Sequence, residues 1–154
     1  MPGRAPLQEA EVHLQEALAR DRKIGMVDHE AAILLELARL RFAQAVASSQ
    51  SSVDSKKRND LMQESFNFAK EALEIAERCE YRLQEAEVHN FLAEWHVQQG
   101  SKGAEAQGRK ESLKKAREHA ERAKERAWCD GPPYHYKVAY ERAEHLLKSL
   151  EESQ

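Results

Sequence analysis

The chain has 154 residues, of which 41% are hydrophobic and 33% are charged. This length and composition indicate one compact domain with extensive solvated faces. Its 24 basic residues do not outnumber its 27 acidic residues, so the net charge of −3 gives no indication of a nucleic-acid partner.

Membrane and secretory segments are also not expected. No apolar run approaches the ~20 residues that a helix needs to cross a bilayer. Leu7-Gln8-Glu9 stands where the apolar segment of a signal peptide would lie. Cys79 and Cys129 are the only cysteines, and one pair in a chain of this size is not a disulfide framework. We therefore expect a cytoplasmic protein with reduced cysteines.

The spacing of apolar residues predicts six helices, and strand patterns are nearly absent. The first helix follows Pro6 and ends before Gly25, and Asp28 can cap the second. The third ends near Cys79, and the fourth starts almost at once and stops at Gly100. The predicted ranges are 7–23, 27–47, 56–79, 82–99, 109–128 and 134–150.

The last two helices differ in their apolar residues. Those of helix five are mostly alanine, which lets neighbouring helices approach closely, and Gly131-Pro132-Pro133 predicts a turn before helix six. Tyrosines on helix six form either a binding hot spot or the cap of a helical array, and the cap is favoured because a terminal repeat must cover an open face. These tyrosines are Tyr134, Tyr136 and Tyr140, and the aromatic residues assigned to the core are Phe66, Phe91, Trp95 and Trp128.

An internal repeat is the strongest feature of the sequence. Identities recur at an offset of 55 (85−30, 92−37 and 99−44), which is typical of helical repeat proteins. The matched residues are Glu30-Ala31 with Glu85-Ala86, Leu37-Ala38 with Leu92-Ala93, and Gln44 with Gln99.

A second identity follows a different offset. The heptapeptide Leu7–His13 is identical to Leu83–His89, at an offset of 76 (83−7). Both copies are rich in strong helix formers, so a generic helix start is the favoured interpretation. The alternative is that helix one is an inner helix of the array, like helix four.

Small and large residues follow one order in each repeat. Leu37-Ala38 and Leu92-Ala93 lie in first helices, and small residues such as Ala69 and Ala120 recur in second helices. This order resembles the tetratricopeptide repeat over about residues 7–150, with long loops at 48–59 and 100–110 that mark a divergent member. The resemblance implies an all-α fold, in which antiparallel helix pairs stack as a short right-handed superhelix within a single domain, 1–154.

The segment Trp128–Tyr136 carries a second resemblance. It is similar to the end of repeat regions that close large bacterial multidomain signalling NTPases of the NACHT and STAND type. That resemblance implies that the chain is part of a longer protein whose catalytic domains lie elsewhere. It also implies that this region is a non-catalytic sensor or interaction module without a cofactor.

The function implied by these resemblances is protein binding. The partner would be a protein, a peptide or another domain of the parent chain, and it would lie on the concave face of the inner helices. The exposed inner-helix positions implied by the resemblance are Arg39, Phe42, Glu87, Asn90, Glu94, Lys137, Tyr140 and Glu144.

Two other classes of function stay open. A small metal-binding or ligand-binding protein could use His89 with His96, or Cys129 with His135. No His-Glu-x-x-His pattern or third orienting group supports these pairs, so neither a metal site nor a catalytic site is predicted. A structural spacer or oligomerisation module is the third possibility, since exposed apolar ends of a short array favour self-association.

Overall fold

The computed structural model describes residues 4–48, 55–101 and 105–153. Within these ranges the regular structure is entirely α-helical, and each predicted helix is present within three residues of its predicted ends. The predicted all-α class is therefore confirmed. None of the described helices combines the length and apolar character that crossing a membrane requires. The six helices are α1 (Arg4–Ile24), α2 (Val27–Ser48), α3 (Ser55–Arg78), α4 (Arg82–Ser101), α5 (Ala106–Trp128) and α6 (Lys137–Glu152).

The range predicted as one domain forms two compact units, Met1–Ile75 and Ala76–Gln154. The division falls inside α3. The predicted long loops are shorter than expected, because α3 begins at Ser55 and α5 begins at Ala106. Residues 49–54 and 102–104 of those loops lie outside the described part of the chain.

Ion pairs define the helix directions in the first unit. Arg41 of α2 donates to both carboxylate oxygens of Glu11 in α1, at 2.9 and 2.7 Å, and its Nε lies 2.8 Å from Glu64 of α3. Arg22, near the end of α1, lies 2.5 Å from Glu71 of α3. Glu11 precedes Arg22 on α1, and Glu64, which shares Arg41 with Glu11, precedes Glu71, the partner of Arg22, on α3. The contacts therefore follow the same order along both helices, so α1 and α3 run in the same direction. The hydrogen bonds from Arg41 also lower the pKa of Glu11, which keeps this carboxylate charged.

The second unit is a three-helix bundle around α4. Asn90 donates to the backbone oxygen of Ala139, and Glu94 pairs with Arg142 four and three residues further along each helix, so α4 and α6 run in the same direction. From Glu85 to Ala93, every residue of α4 except Glu87 is buried. The predicted inner-helix environment of α4 thus agrees with its burial.

Small residues bring α5 close to its neighbours. All the buried residues of α5 are alanines with no exposed surface, which confirms the predicted packing of this helix through small side chains. Gly100 does not end α4, as was predicted, because the helix continues to Ser101. A Cβ atom on Gly100 would lie 3.3 Å from Cβ of Ser112, so glycine there permits the close approach of α5. The buried alanines are Ala116, Ala120, Ala123 and Ala127.

The predicted start of helix six at residue 134 is wrong. Gly131 has a φ of 76°, its carbonyl accepts from the Tyr134 N–H at 2.7 Å, and the Tyr136 N–H donates to Ala127 at 2.9 Å. These bonds fold residues 129–136 into a turn, here named the Gly-Pro-Pro turn, and α6 begins only at Lys137. Tyr134 and Tyr136 therefore belong to this turn and not to the last helix.

The repeated heptapeptide occupies two different environments. In α1, Val12 is 53% exposed and His13 is also exposed. In α4, the equivalent Val88 and His89 are each only 1% exposed. Both copies are helical, as the favoured interpretation expects, and their burial is set by what packs around each helix rather than by the seven residues themselves.

Candidate functional site

An open groove lies between α5 and α6 in the second unit. Its volume is ≈ 480 Å³, within the range of small-molecule pockets, and one side is open to solvent. We name it the Trp128 groove after its largest side chain. Its lining residues are Glu121, Lys124, Glu125, Trp128, Tyr140 and Leu147.

Trp128 is held in place at the end of α5 and yet remains accessible. Its ring centroid lies 5.1 Å from that of Tyr140 and 6.2 Å from that of His135. Gly131 packs beneath the indole so closely that a Cβ atom there would lie 2.9 Å from Cζ2 of Trp128. The prediction that Trp128 is a core residue is wrong, because 44% of its surface is exposed.

Further apolar side chains are exposed beside Trp128 in the sequence. Tyr134 is 75% exposed, Tyr136 is 40% exposed and Val138 is 81% exposed. Single exposed apolar residues are normal on a protein surface, whereas here four of them fall within eleven residues of the chain. Aromatic side chains at such a place are typical of protein-binding hot spots.

The charges at the groove are mainly acidic. Lys124 lies 3.1 Å from Glu144 and also 5.3 Å from the centre of the Tyr140 ring. The hydrogen bond between Lys124 and Glu144 raises the pKa of the lysine and lowers that of the glutamate, so both are charged at neutral pH. Glu121 and Glu125 are exposed, and no ion pair to either is formed by the described residues. The groove therefore presents two uncompensated carboxylates beside its aromatic rings.

Of the predicted partner-binding residues, Tyr140 and Glu144 lie at this groove. Lys137 is exposed at the start of α6, with its Nζ 3.8 Å from Glu141. Arg39 and Phe42 are partly buried in the first unit, where Arg39 pairs with Glu36.

The predicted positions on α4 are less accessible than expected. Asn90 is 2% exposed, and its amide donates to Ala139 at 2.9 Å, so its assignment as an exposed contact residue is wrong. Glu94 is held by two hydrogen bonds from Arg142, and Glu87 is partly buried. Because α4 is buried on two sides, the polar Asn90 is enclosed and makes a hydrogen bond within the protein instead of facing a partner.

Replacing Asn90 with alanine is expected to lower the free energy of unfolding by about 0.5–1.5 kcal/mol, because the buried hydrogen bond from its amide to the Ala139 carbonyl would be lost. Urea denaturation followed by circular dichroism measures this change. Glu87→Ala, at a partly buried position on the same helix, is the matched control and should cost less than about 0.5 kcal/mol. Equal free energies of unfolding for Asn90→Ala and the wild type would show that Asn90 does not stabilise the fold.

Five residues of the Trp128 groove were not predicted as contacts: Glu121, Lys124, Glu125, Trp128 and Leu147. They lie on α5 and α6, whereas the prediction followed only the inner helices of a superhelix. The usable signal in the sequence was the Gly131-Pro132-Pro133 turn, which holds the end of α5 against the start of α6.

Histidines form a second polar cluster, between α4 and α5. The predicted pairing of His89 with His96 is not the one found, because both contact His119 of α5. The Nδ1 atoms of His89 and His119 are 2.9 Å apart, and the rings of His96 and His119 are stacked with centroids 5.5 Å apart. His119, which the sequence analysis did not single out, therefore links the other two.

Burial keeps these histidines neutral. Desolvation lowers the pKa of His89 to about 3, and it lowers the pKa values of His96 and His119 to about 4. Nearby positive charge adds to this effect, from His119 and Lys115 at His96 and from Arg122 at His119, while Glu118 acts in the opposite direction at His96.

Acid is therefore expected to destabilise the fold through His96. Between pH 6.5 and about 4 the unfolded chain binds a proton at this residue and the folded chain does not, so stability is lost as the pH falls through this window. One such residue can lower the free energy of unfolding by at most about 1.4 kcal/mol for each pH unit. Partial access of solvent to the ring makes the actual loss smaller. We expect a fall from pH 7 to pH 5 to cost the wild type about 1 kcal/mol more than it costs His96→Leu in urea denaturation. Equal losses for the two proteins would contradict this.

The other predicted pair, Cys129 with His135, is not joined by a hydrogen bond between the two side chains. The Cys129 Sγ donates to the Arg126 carbonyl at 3.6 Å, and no hydrogen bond joins it to His135 among the described residues. His135 lies against Trp128 and Tyr140, with their ring centroids 6.2 and 6.1 Å from its own. The contacts of both residues are those of packed side chains around the turn.

Comparisons with protein-family models, curated proteins and solved structures found no match to this chain. The resemblance to tetratricopeptide repeats therefore rests on its own residue pattern.

Proposed function

We propose that this chain is a non-catalytic protein-interaction module, and that the Trp128 groove binds a short peptide segment of a partner protein. The observation that carries the proposal is the half-exposed Trp128, which is fixed by Gly131 and Tyr140 beside a groove that is open to solvent. A rigid aromatic side chain that remains accessible offers a large apolar contact with little loss of conformational entropy.

The groove favours a segment with an apolar anchor next to a basic side chain. Trp128, Tyr140 and Leu147 supply the apolar lining. Glu121 and Glu125 supply negative charge, which attracts Lys or Arg and disfavours acidic segments. Lys124 does not cancel this charge, because it already pairs with Glu144.

The repeat architecture supports the same class of function. We propose that α4 and α5 form a divergent tetratricopeptide-like pair, in which the alanines of α5 allow close packing. Modules of this kind present surfaces instead of enclosing deep pockets. A cytoplasmic location remains part of the proposal, and the two free cysteines agree with it.

Selection from a randomised peptide library tests the proposal without knowledge of the partner. The immobilised protein should enrich peptides that carry Phe, Trp, Leu or Met beside Lys or Arg. Enrichment of acidic peptides, or binding that is unchanged in a Glu121→Gln, Glu125→Gln double variant, would contradict the charge argument.

Self-association is the competing outcome, and light scattering measures it. If the purified protein forms a dimer that Trp128→Ala dissociates, the groove is occupied by a second copy of the chain. The proposal of a peptide from another protein would then be wrong.

A further inference from the structure

Three side chains of types that bind metals converge beside α4, and none of them lines the Trp128 groove. Glu85 and His89 lie one helical turn apart on α4, and Glu77 lies near the end of α3. A carboxylate oxygen of each glutamate and a ring nitrogen of His89 all lie within 4.8 Å of one another. Residues four apart on a helix share a face, so Glu85 and His89 are suited to bind one ion together.

Two of these three groups are buried and still have an unused ligand atom. Glu85 is 4% exposed and His89 is 1% exposed. One oxygen of Glu85 accepts from Nε of Arg126 at 2.7 Å, which leaves the second oxygen available. His89 uses Nδ1 toward His119, and no described residue forms a hydrogen bond with its Nε2. A bound metal ion would use these two atoms without breaking the hydrogen bonds that each residue makes through its other polar atom.

His119 and Arg126 contact the proposed ligands His89 and Glu85 from outside the site, as residues that orient metal ligands do. A histidine that binds a metal through one nitrogen usually donates its other N–H to a fixed acceptor. Nδ1 of His119, 2.9 Å from Nδ1 of His89, is such an acceptor when both rings are neutral. Arg126 fixes the orientation of Glu85 in the same way.

We propose that Glu77, Glu85 and His89 form a zinc-binding site, with Nε2 of His89 as its nitrogen ligand. A nitrogen ligand combined with two carboxylates suits zinc better than magnesium or calcium, which favour sites made only of oxygen atoms. Water would complete the coordination from the adjoining polar cleft of ≈ 310 Å³. The site shares no residue with the Trp128 groove, so each proposal stands or fails alone.

The required movement is small. Ligand atoms around tetrahedral zinc are about 3.3 Å apart, which follows from bonds of about 2.0–2.1 Å. The present separations of up to 4.8 Å must therefore close by about 1.5 Å at most. Glu77 is exposed, so its side chain is free to make its part of this movement. The cleft beside the site is lined by three carboxylates (Glu77, Glu80, Glu85) and two guanidinium groups (Arg82, Arg126), so its lining carries one net negative charge. Arg122 also acts on His89 and opposes part of this attraction for a cation.

The repeated heptapeptide provides an internal control. Glu9 and His13 of α1 have the same sequence context and spacing as Glu85 and His89. His13 is exposed, however, and among the described residues no third metal-ligand side chain joins this pair. Binding by a generic Glu-x-x-x-His pattern would use both copies, whereas the proposed site uses only the copy in α4.

Titration calorimetry of zinc into chelator-treated protein is the test. We expect one tight site per chain, with affinity reduced about tenfold or more in Glu77→Gln. Glu80→Gln, which alters another carboxylate of the same cleft, and His13→Gln should each change the affinity less than about threefold. Because Glu77 is exposed, its variant should keep the helical circular dichroism spectrum of the wild type.

Three results would overturn the proposal. The first is the absence of a stoichiometric zinc site in the wild type. The second is an equal affinity for zinc in Glu77→Gln and the wild type. The third is an equal loss of zinc affinity in His13→Gln and Glu77→Gln. Displacement of zinc by an equal concentration of magnesium would overturn the choice of metal.

Discussion

Replacing Trp128 with alanine is expected to weaken binding of a selected peptide by about 30-fold or more, which corresponds to about 2 kcal/mol. The reason is that the indole supplies the largest accessible apolar surface in the groove and is already fixed by Tyr140 and Gly131 before binding. Fluorescence anisotropy of a labelled peptide measures the loss, and circular dichroism checks that the helices are retained.

Ile24→Ala is the matched control for Trp128→Ala. Ile24 is also apolar and 66% exposed, but it lies at the end of α1 in the first unit. Its replacement should leave the affinity unchanged. Gly131→Ala is a second variant, because its new Cβ atom would push the Trp128 ring from its position and should weaken binding without removing the indole. A Trp128→Ala protein that binds as tightly as Ile24→Ala would exclude the groove as the binding site.

The second large effect concerns stability and the internal repeat. Leu37 and Leu92 are equivalent residues of the repeat, and each is 1% exposed. Replacement of either with alanine should lower the free energy of unfolding by about 2–5 kcal/mol, because a buried side chain is lost and a cavity remains. This is a large part of the ~5–15 kcal/mol that is typical of a folded domain.

Urea denaturation of Leu37→Ala, Leu92→Ala and Val138→Ala measures this effect. Val138 is 81% exposed, so its alanine variant should stay within about 0.5 kcal/mol of the wild type. Loss of less than about 1 kcal/mol in Leu92→Ala would show that the repeat does not mark equivalent core positions.

Local patterns in the sequence were sufficient to predict the helices. The apolar period and the turn residues predicted the ends of all six helices to within three residues. The alanines of α5 likewise predicted its close packing. The error at Gly100 has a physical cause, because glycine was interpreted as a helix stop although its role is the close contact with α5.

Burial was harder to predict, because it depends on packing between helices. Leu7–His13 and Leu83–His89 are identical in sequence, yet His13 is exposed and His89 is buried. For the same reason Asn90 was assigned to a binding face although it holds the α6 backbone. A single sequence gives the period of a helix but not the number of neighbours around it.

The candidate sites combine residues that are far apart in the sequence. Trp128 and Leu147 meet across the Gly-Pro-Pro turn, and His119 contacts His89 from another helix. Glu77 and Glu85 come together across the turn at Glu80, which has a positive φ of 56°. No local motif joins these residues, so a search for metal-binding motifs in the sequence could not find the cluster.

Nuclear magnetic resonance of the indole N–H groups tests the central claim most directly, because the chain has only two tryptophans. Trp128 lines the groove, whereas Trp95 is partly buried on α4 against His96. On titration with a selected peptide, the Nε1–H signal of Trp128 should shift in proportion to binding while that of Trp95 stays in place. A shift of Trp95 alone, or no shift of Trp128 at saturating peptide, would contradict the assignment of the groove as the partner-binding site.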